Sequence, residues 1–272
     1  LREGKTEVRI SVGILSAPRP EPTVMKCSQA IVDSGFIFIH HAIESNNREF
    51  VSGCEFERSP FGFLGNFQNW IQTARDLCEF GHDAILIAED DALFAPGIYD
   101  LLQRDLWPSE HCGCVSLYCP AMSHYKQNEN GLHRTEVIRR EPLSTSSNLV
   151  GALALVFPRE VLLKLAWHPS IDEWKGSHHQ ARDPKTKPYE RKAVDTWIGR
   201  TLISMGKQIW HYAPSLVQHY CPDPSKANSS LGHGLANGNR KARLWAGNSN
   251  FPVSSLIPKR KERFSVSGSD LH

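Results

Sequence analysis

The chain has 272 residues, of which 40% are hydrophobic, 22% charged and 9% aromatic. That balance suits one large or two small globular domains and excludes a disordered chain. Thirty-one Lys and Arg against 29 Asp and Glu leave a formal charge of only +2, so the molecule as a whole is not a polyanion binder and any basic surface is local.

Val8 to Leu15 is β-branched and apolar, the pattern of a buried parallel strand. The prolines from Ala17 to Pro22 stop it, and Pro22 or Thr23 opens a helix that reaches Ser34 and ends at Gly35. Phe36 to His40 reads as the next strand, completing a unit of βαβ length. Asn46 to Gly65 is irregular. Asn66 to Phe80 carries Phe67, Trp70, Ile71, Ala74, Leu77 and Cys78 at helical spacing, with Gly81 as its terminator. The short apolar strand Ala84 to Ala88 then runs straight into Glu89-Asp90-Asp91.

Beyond this junction, Pro96-Gly97 leads into a helix through Arg104, and Cys114 to Tyr118 reads as a strand. Asn128 to Arg134 reads as a turn and Thr135 to Ile138 as a short strand. Leu149 to Phe157 is continuously apolar, and Pro158 opens a helix to Ala166 at its first position. Asp172 to Arg191 reads as a polar loop. Ala193 to Met205 is a helix with Asp195 in its first turn, closed by Gly206, and Gln208 to Tyr212 is the last strand. From Pro222 onward the composition is that of a Ser-, Asn- and Gly-rich basic tail.

Three adjacent carboxylates at the end of a buried strand repel one another, and a divalent cation removes that cost. Hard oxygen donors suit Mg²⁺ or Mn²⁺, with water and a substrate diphosphate filling the shell. A solvated acidic turn is the alternative. His219, after the apolar segment Ser215 to Val217, adds an imidazole acceptable to Mn²⁺.

In this order the residues resemble GT-A glycosyltransferases. Ile85 to Asp91 is similar in position and form to their acidic DxD-type motif, although Glu89 stands where a strict motif has Asp. Gly151 to Glu160 resembles their acceptor-side strand and helix, and Val194 to Gly199 their carboxylate-headed helix. Pro214 to His219, followed by Ser229 to Gly232, resembles their closing strand and ligand histidine. The resemblance covers residues 8 to 235. It implies an α/β fold with a Rossmann-like nucleotide-binding half fused to an acceptor-binding half around one mixed central sheet. The expected catalytic domain is 1–221, with a nucleotide-sugar half at 8–91, an acceptor half at 92–221 and a basic tail at 222–272.

The resemblance further implies a nucleotide-sugar donor, a UDP-sugar being the expectation, and Mn²⁺ (or Mg²⁺) held by Asp91 and His219. Glu89 or Asp90 would touch the donor ribose or metal-bound water. Asp195 would be the base in an inverting transfer to an acceptor hydroxyl, or simply a helix cap, with Asp172 and Glu173 as alternative bases. Leu15, Ser16, Ala17 and Arg19 would line the nucleotide, with Arg19 either forked onto phosphate or a surface charge. Asn66 and Asn69 would meet the donor from a helix start, where Asn66 serves equally as a cap. Pro18 to Thr23 is similar, more loosely, to glycosyltransferases with which bacteriophages decorate modified DNA bases. DNA therefore joins saccharides, lipid-linked groups and proteins among the acceptors to test.

Two competing readings differ in class. A nucleotidyltransferase on a related sheet also uses a strand-end carboxylate and metal, but should carry a Gly-rich phosphate loop after its first strand, where this chain has prolines. A noncatalytic nucleic-acid binder would act through the tail, where Arg240, Lys241, Arg243, Lys259, Arg260, Lys261 and Arg263 mix with Trp245 and Phe251. A solvated charged tail is the simpler reading. Cys112, Cys114 and Cys119 invite a zinc reading with His111 or His124, against which free buried thiols are the simpler expectation. Seven cysteines, an odd number, exclude a complete disulfide framework and fit a reduced interior. With no apolar run of membrane length and a charged start, the expected location is the cytoplasm, that of a host if the gene is carried by a phage.

Overall fold

The computed structural model describes residues 7–16, 23–37, 39–43, 56–58, 65–119, 131–134, 149, 151–174, 194–220 and 245–246. The elements follow in the order β1 (Ile10–Ser16), α1 (Val24–Asp33), β2 (Ile39–Ile43), β3 (Phe56–Arg58), α2 (Gly65–Glu79), β4 (Ala84–Glu89), β5 (Ala92–Phe94) and α3 (Ile98–Asp105). Then come β6 (Cys112–Ser116), β7 (Gly131–Arg134), β8 (Ala154–Pro158), α4 (Arg159–Ala166), α5 (Val194–Ser204), β9 (Gln208–Ala213) and β10 (Val217–His219).

Eight strands form one sheet in the order β3-β2-β1-β4-β8-β6-β9-β7, and β5 pairs with β10 in a second, two-stranded sheet. β1 is parallel to β2 and β4, β2 to β3, and β6 to β9. β8 runs antiparallel between β4 and β6, and β7 antiparallel beside β9. The protein is therefore α/β with a mixed central sheet. The carboxyl ends of β1, β4, β6 and β9 lie on one edge, together with the residues that enter β8.

Strands buried on both faces read as unbroken apolar runs because alternate side chains serve opposite cores. Ile10, Val12 and Ile14 of β1, with Ala84, Leu86 and Ala88 of β4, face a core completed by α1 and α3. Ile85, Ile87, Leu155 and Phe157 face the other, built with α2, α4 and α5. Gly13 permits the close packing of α2, since a Cβ there would lie 2.5 Å from Leu77 Cδ1 and 2.9 Å from Thr73 Cγ2. Phe67 and Trp70 meet Trp197 edge-on at ring separations of 5.1 and 6.0 Å, which joins α2 to α5.

Several sequence expectations need correction. Phe36 and Ile37 precede β2 instead of belonging to it: the Phe36 ring is buried in edge contact with Phe94 and Tyr99, 6.4 and 5.5 Å away. Residues 131–134, expected as a turn, form β7 and pair with β9. β6 stops at Ser116 and β8 begins only at Ala154. Residues 170–174 form a helical turn that buries Ile171 and Trp174. In the expected tail, Trp245 bridges to Ser215 and packs on the first core, where Ala246 is buried. Thr135 to Ile138, His124, His178, His179 and the basic residues of the tail lie outside the described residues.

Candidate active site

The acidic triplet folds as a turn at the end of β4, and its three members are placed differently. The Asp90 N–H donates to Leu15 O at 2.9 Å, and Ser16 Oγ donates to Asp90 Oδ2 at 3.0 Å. Asp90 is only 2% exposed, so its carboxylate faces inward and locks the ends of β1 and β4 together. Glu89 is half-buried; its N–H donates to Leu153 O at 2.9 Å, and its carbonyl accepts from Cys27 Sγ at 3.5 Å. Leu15, expected to line the nucleotide, instead turns its side chain into the second core.

Asp91 is half-buried, and the chain immediately forms β5. This three-residue strand pairs antiparallel with β10, setting His219 opposite Ala92, and the Tyr220 N–H donates to Asp91 O at 2.6 Å. The pairing brings His219 Nδ1 to 3.4 Å from Asp91 Oδ2, with side chains 17% and 18% exposed. A carboxylate and an imidazole from distant parts of the sequence thus share a partly accessible position.

β10 is held there by Ser215, which is fully buried. Its Oγ accepts from the Cys119 N–H at 3.0 Å and donates to Val217 O at 2.6 Å. Leu117 O accepts from the N–H groups of Leu216 and Val217 at 2.8 and 3.2 Å. Lys26 Nζ in the first turn of α1 donates to Tyr220 Oη at 2.7 Å and lies 4.1 Å from its ring centroid. A cation therefore lies against Tyr220, the residue that follows His219.

Asp195 lies in the first turn of α5, on the same edge. Its Oδ2 accepts from the Gly151 N–H at 2.7 Å and its Oδ1 from the Thr196 N–H at 2.7 Å. It therefore satisfies one first-turn N–H of its helix and also pins the segment leading into β8. The Thr196 hydroxyl also donates to Oδ1, at 3.4 Å. Asp172 and Glu173 are exposed on the helical turn.

Asn69 is buried within α2, and its carbonyl accepts from Thr73 Oγ1 at 2.8 Å; the amino-terminal half of α2 points to the same sheet edge. Ala17 and Arg19 lie outside the described residues. His40 pairs in register with Gly13 and packs on Phe80 at 5.8 Å, at the far end of α2 and away from this edge.

The zinc reading of the cysteines fails because the register of β6 against β9 shifts between Cys112 and Cys114. Cys112 faces the first core and Cys114 the second, so one ion cannot serve both. Burial pushes the Cys112 thiol up to about 12 and raises Cys114 well above the usual thiol range. Both are inert packing groups. Among the described residues no three His, Cys, Asp or Glu side chains converge on a common metal position.

Two protein ligands with an open remainder suit a hard divalent cation whose other ligands come from water and a diphosphate. One imidazole beside one carboxylate favours Mn²⁺ over Mg²⁺. The donor set of Asp91 and His219 therefore fits such an ion. Tyr118, which the sequence pattern assigns to a strand, adds a further neighbour: its ring lies 5.1 Å from the His219 ring at 86°. The only sequence signal for it is its position at the carboxyl end of an apolar strand.

No family model matches the chain, and no curated relative does. Among solved structures it is similar to a mannose-1-phosphate geranyltransferase from Thermus thermophilus, at 10% identity and TM-score 0.45, covering 75% of this chain and 74% of that one. It is also similar to a mannosyltransferase from Pyrobaculum calidifontis in complex with GDP-Man and Mn²⁺, at 10% identity and TM-score 0.43, over 75% of this chain and 54% of that one. A putative glucose-1-phosphate thymidylyltransferase from Bacillus anthracis, in complex with a sucrose, gives 11% identity and TM-score 0.43 over 77% of this chain and 89% of that one. Likenesses this distant carry no functional argument. The α/β assignment rests on the chain's own mixed sheet, and its chemistry on the residues gathered at one edge of it.

Proposed function

We propose that the protein is a metal-dependent glycosyltransferase of the GT-A kind, moving a sugar from a nucleotide-sugar donor to an acceptor hydroxyl. The observation that supports this reading is the meeting of Asp91 and His219 at 3.4 Å on the sheet edge where open α/β sheets bind ligands. Residues 8–91 would serve the donor and 92–221 the acceptor, with 222–272 as an appended basic segment. Asp91 and His219 would hold Mn²⁺, or Mg²⁺ less favourably. When bound, the cation supplies Lewis-acid stabilisation of the charge that appears on the departing diphosphate.

The chain's own groups do the rest. Ser16 and Asp90 keep the β1–β4 edge rigid beneath the donor, and Glu89 offers its carboxylate to the ribose. Asp195 takes the proton of the acceptor hydroxyl. The acceptor oxygen forms its bond to the anomeric carbon from the face opposite the diphosphate, and the carbon–oxygen bond to the nucleoside diphosphate breaks, giving inversion. Lys26 adds positive charge beside the leaving group.

The test is a thermal-shift panel of UDP-, GDP- and dTDP-sugars with and without Mn²⁺, followed by product analysis with simple saccharides and with DNA as acceptors. Release of a nucleoside diphosphate with sugar transfer is the expected result. Exchange of pyrophosphate with a sugar phosphate would instead establish the nucleotidyltransferase reading. Nucleic-acid binding with no turnover of any donor would overturn both.

A further inference from the structure

Tyr118 is buried in the first core, yet its ring also reaches the imidazole of His219. β6 ends at Ser116, yet the backbone of Tyr118 is clamped: its N–H donates to Ser116 Oγ at 3.3 Å, and its carbonyl accepts from the same hydroxyl at 2.8 Å. The next N–H, of Cys119, is held by Ser215. The residue is 2% exposed, so its ring has a fixed origin and little room.

What bounds the ring is informative. On one side is Gly151, with φ of +80°, where a Cβ would come within 3.1 Å of Tyr118 Cε1 and 3.2 Å of Cδ1. Only a residue without a side chain allows both that backbone conformation and that approach. The His219 ring is a second neighbour, edge to face at 5.1 Å. Gly151 in turn donates its N–H to Asp195, and His219 faces Asp91 through Nδ1. An unbroken line of contacts therefore runs Asp195, Gly151, Tyr118, His219, Asp91, drawn from distant parts of the chain.

We infer that Tyr118 is a positioning residue whose buried ring, backed by Gly151, fixes the imidazole of His219 so that Nδ1 is presented to Asp91. An imidazole's terminal torsion is broad when nothing packs on it. A perpendicular aromatic neighbour narrows that torsion, and groups that orient a metal ligand from behind commonly change metal affinity about 10–100-fold when removed. The inference rests on the proposed reading of Asp91 and His219 for its metal, but not for the ring geometry.

The experiment compares the wild-type chain with Tyr118→Leu, Tyr118→Phe and Gly151→Ala, each checked for folding by thermal melting. The ¹⁵N spectrum of the histidine rings without metal reads the His219 tautomer, and manganese electron paramagnetic resonance reads Mn²⁺ affinity. The wild-type ring is expected predominantly in the Nδ1–H form. Tyr118→Leu should return it toward the mixture of free imidazole and weaken Mn²⁺ about tenfold or more. Tyr118→Phe keeps the ring and should restore both readouts, whereas Gly151→Ala crowds the ring edge and should weaken both.

An unchanged tautomer balance in Tyr118→Leu overturns the inference, as does a Tyr118→Phe variant as defective as the leucine one. If Tyr118→Leu does not fold, wild-type behaviour of Gly151→Ala overturns it. If the wild type binds no Mn²⁺, the proposed function loses its metal, while the ring spectra still decide the role of Tyr118.

Discussion

Replacing Ser215 by Ala removes one oxygen from a fully buried position and is expected to unfasten β10. The Cys119 N–H loses the acceptor it has at 3.0 Å, and the Val217 carbonyl loses its donor at 2.6 Å. The vacated volume is smaller than a water molecule, so solvent does not take over either bond. Each buried group deprived of its partner costs about 1–3 kcal/mol, which puts the pair at about 3 kcal/mol. At about 2–4 °C per kcal/mol for a chain approaching this size, Tm should fall by about 6–12 °C. Differential scanning calorimetry of Ser215→Ala against wild type measures this. Because His219 lies on the strand that Ser215 anchors, Mn²⁺ affinity should fall in the same variant. A Tm within about 2 °C of wild type would refute the accounting, because it would mean that the two groups find other partners at little cost.

Asp91→Ala and His219→Ala should each abolish metal-dependent donor binding; titration calorimetry with Mn²⁺ and a nucleotide sugar checks this. Asp195→Asn should nearly abolish transfer yet leave donor binding intact. It should also cost about 1 kcal/mol, because an amide nitrogen cannot accept one of the two N–H bonds that the carboxylate takes; sugar-transfer and binding assays on one preparation separate these effects. Gly13→Val should lower Tm by several degrees, because its side chain would meet Leu77 and Thr73 inside van der Waals distance, at a cost of about 1–3 kcal/mol or more.

The thiols set a pH dependence. Burial raises Cys78 to about 11 and Cys112 to about 12 from an unfolded value of 9.0. The folded chain therefore holds these protons where the unfolded chain releases them. Their contribution is full below pH 9.0 and is lost as pH rises toward 12. Urea midpoints should decline over that window and stay level, as far as these groups are concerned, at neutral pH.

The sequence makes legible whatever depends on neighbours in the chain. The βαβ beginning follows from apolar strands punctuated by prolines and Gly35, and the α2 stripe is present in the structure as the six buried residues its spacing predicts. The junction of β4 with the carboxylates is visible because a buried strand rarely ends in three like charges. What stays hidden depends on partners far away. β5 is three residues long and has no period to detect; it is a strand because β10 lies against it. β7 contains Gly131 and a charged residue and reads as a turn, yet β9 supplies the ladder it completes. Phe36 reads as a strand residue because it is apolar, while its burial comes from Phe94 and Tyr99. Tyr118 carries no local mark of its place between Gly151 and His219.

The clasp of β5 with β10 has a consequence for biogenesis. Its two halves are made early and late in translation, so a nascent polypeptide can complete the first βαβ layers long before the residue opposite Ala92 leaves the ribosome. The meeting of Asp91 with His219 then waits on the later half. Truncated products ending before that point would lack the imidazole that faces Asp91 in the folded chain.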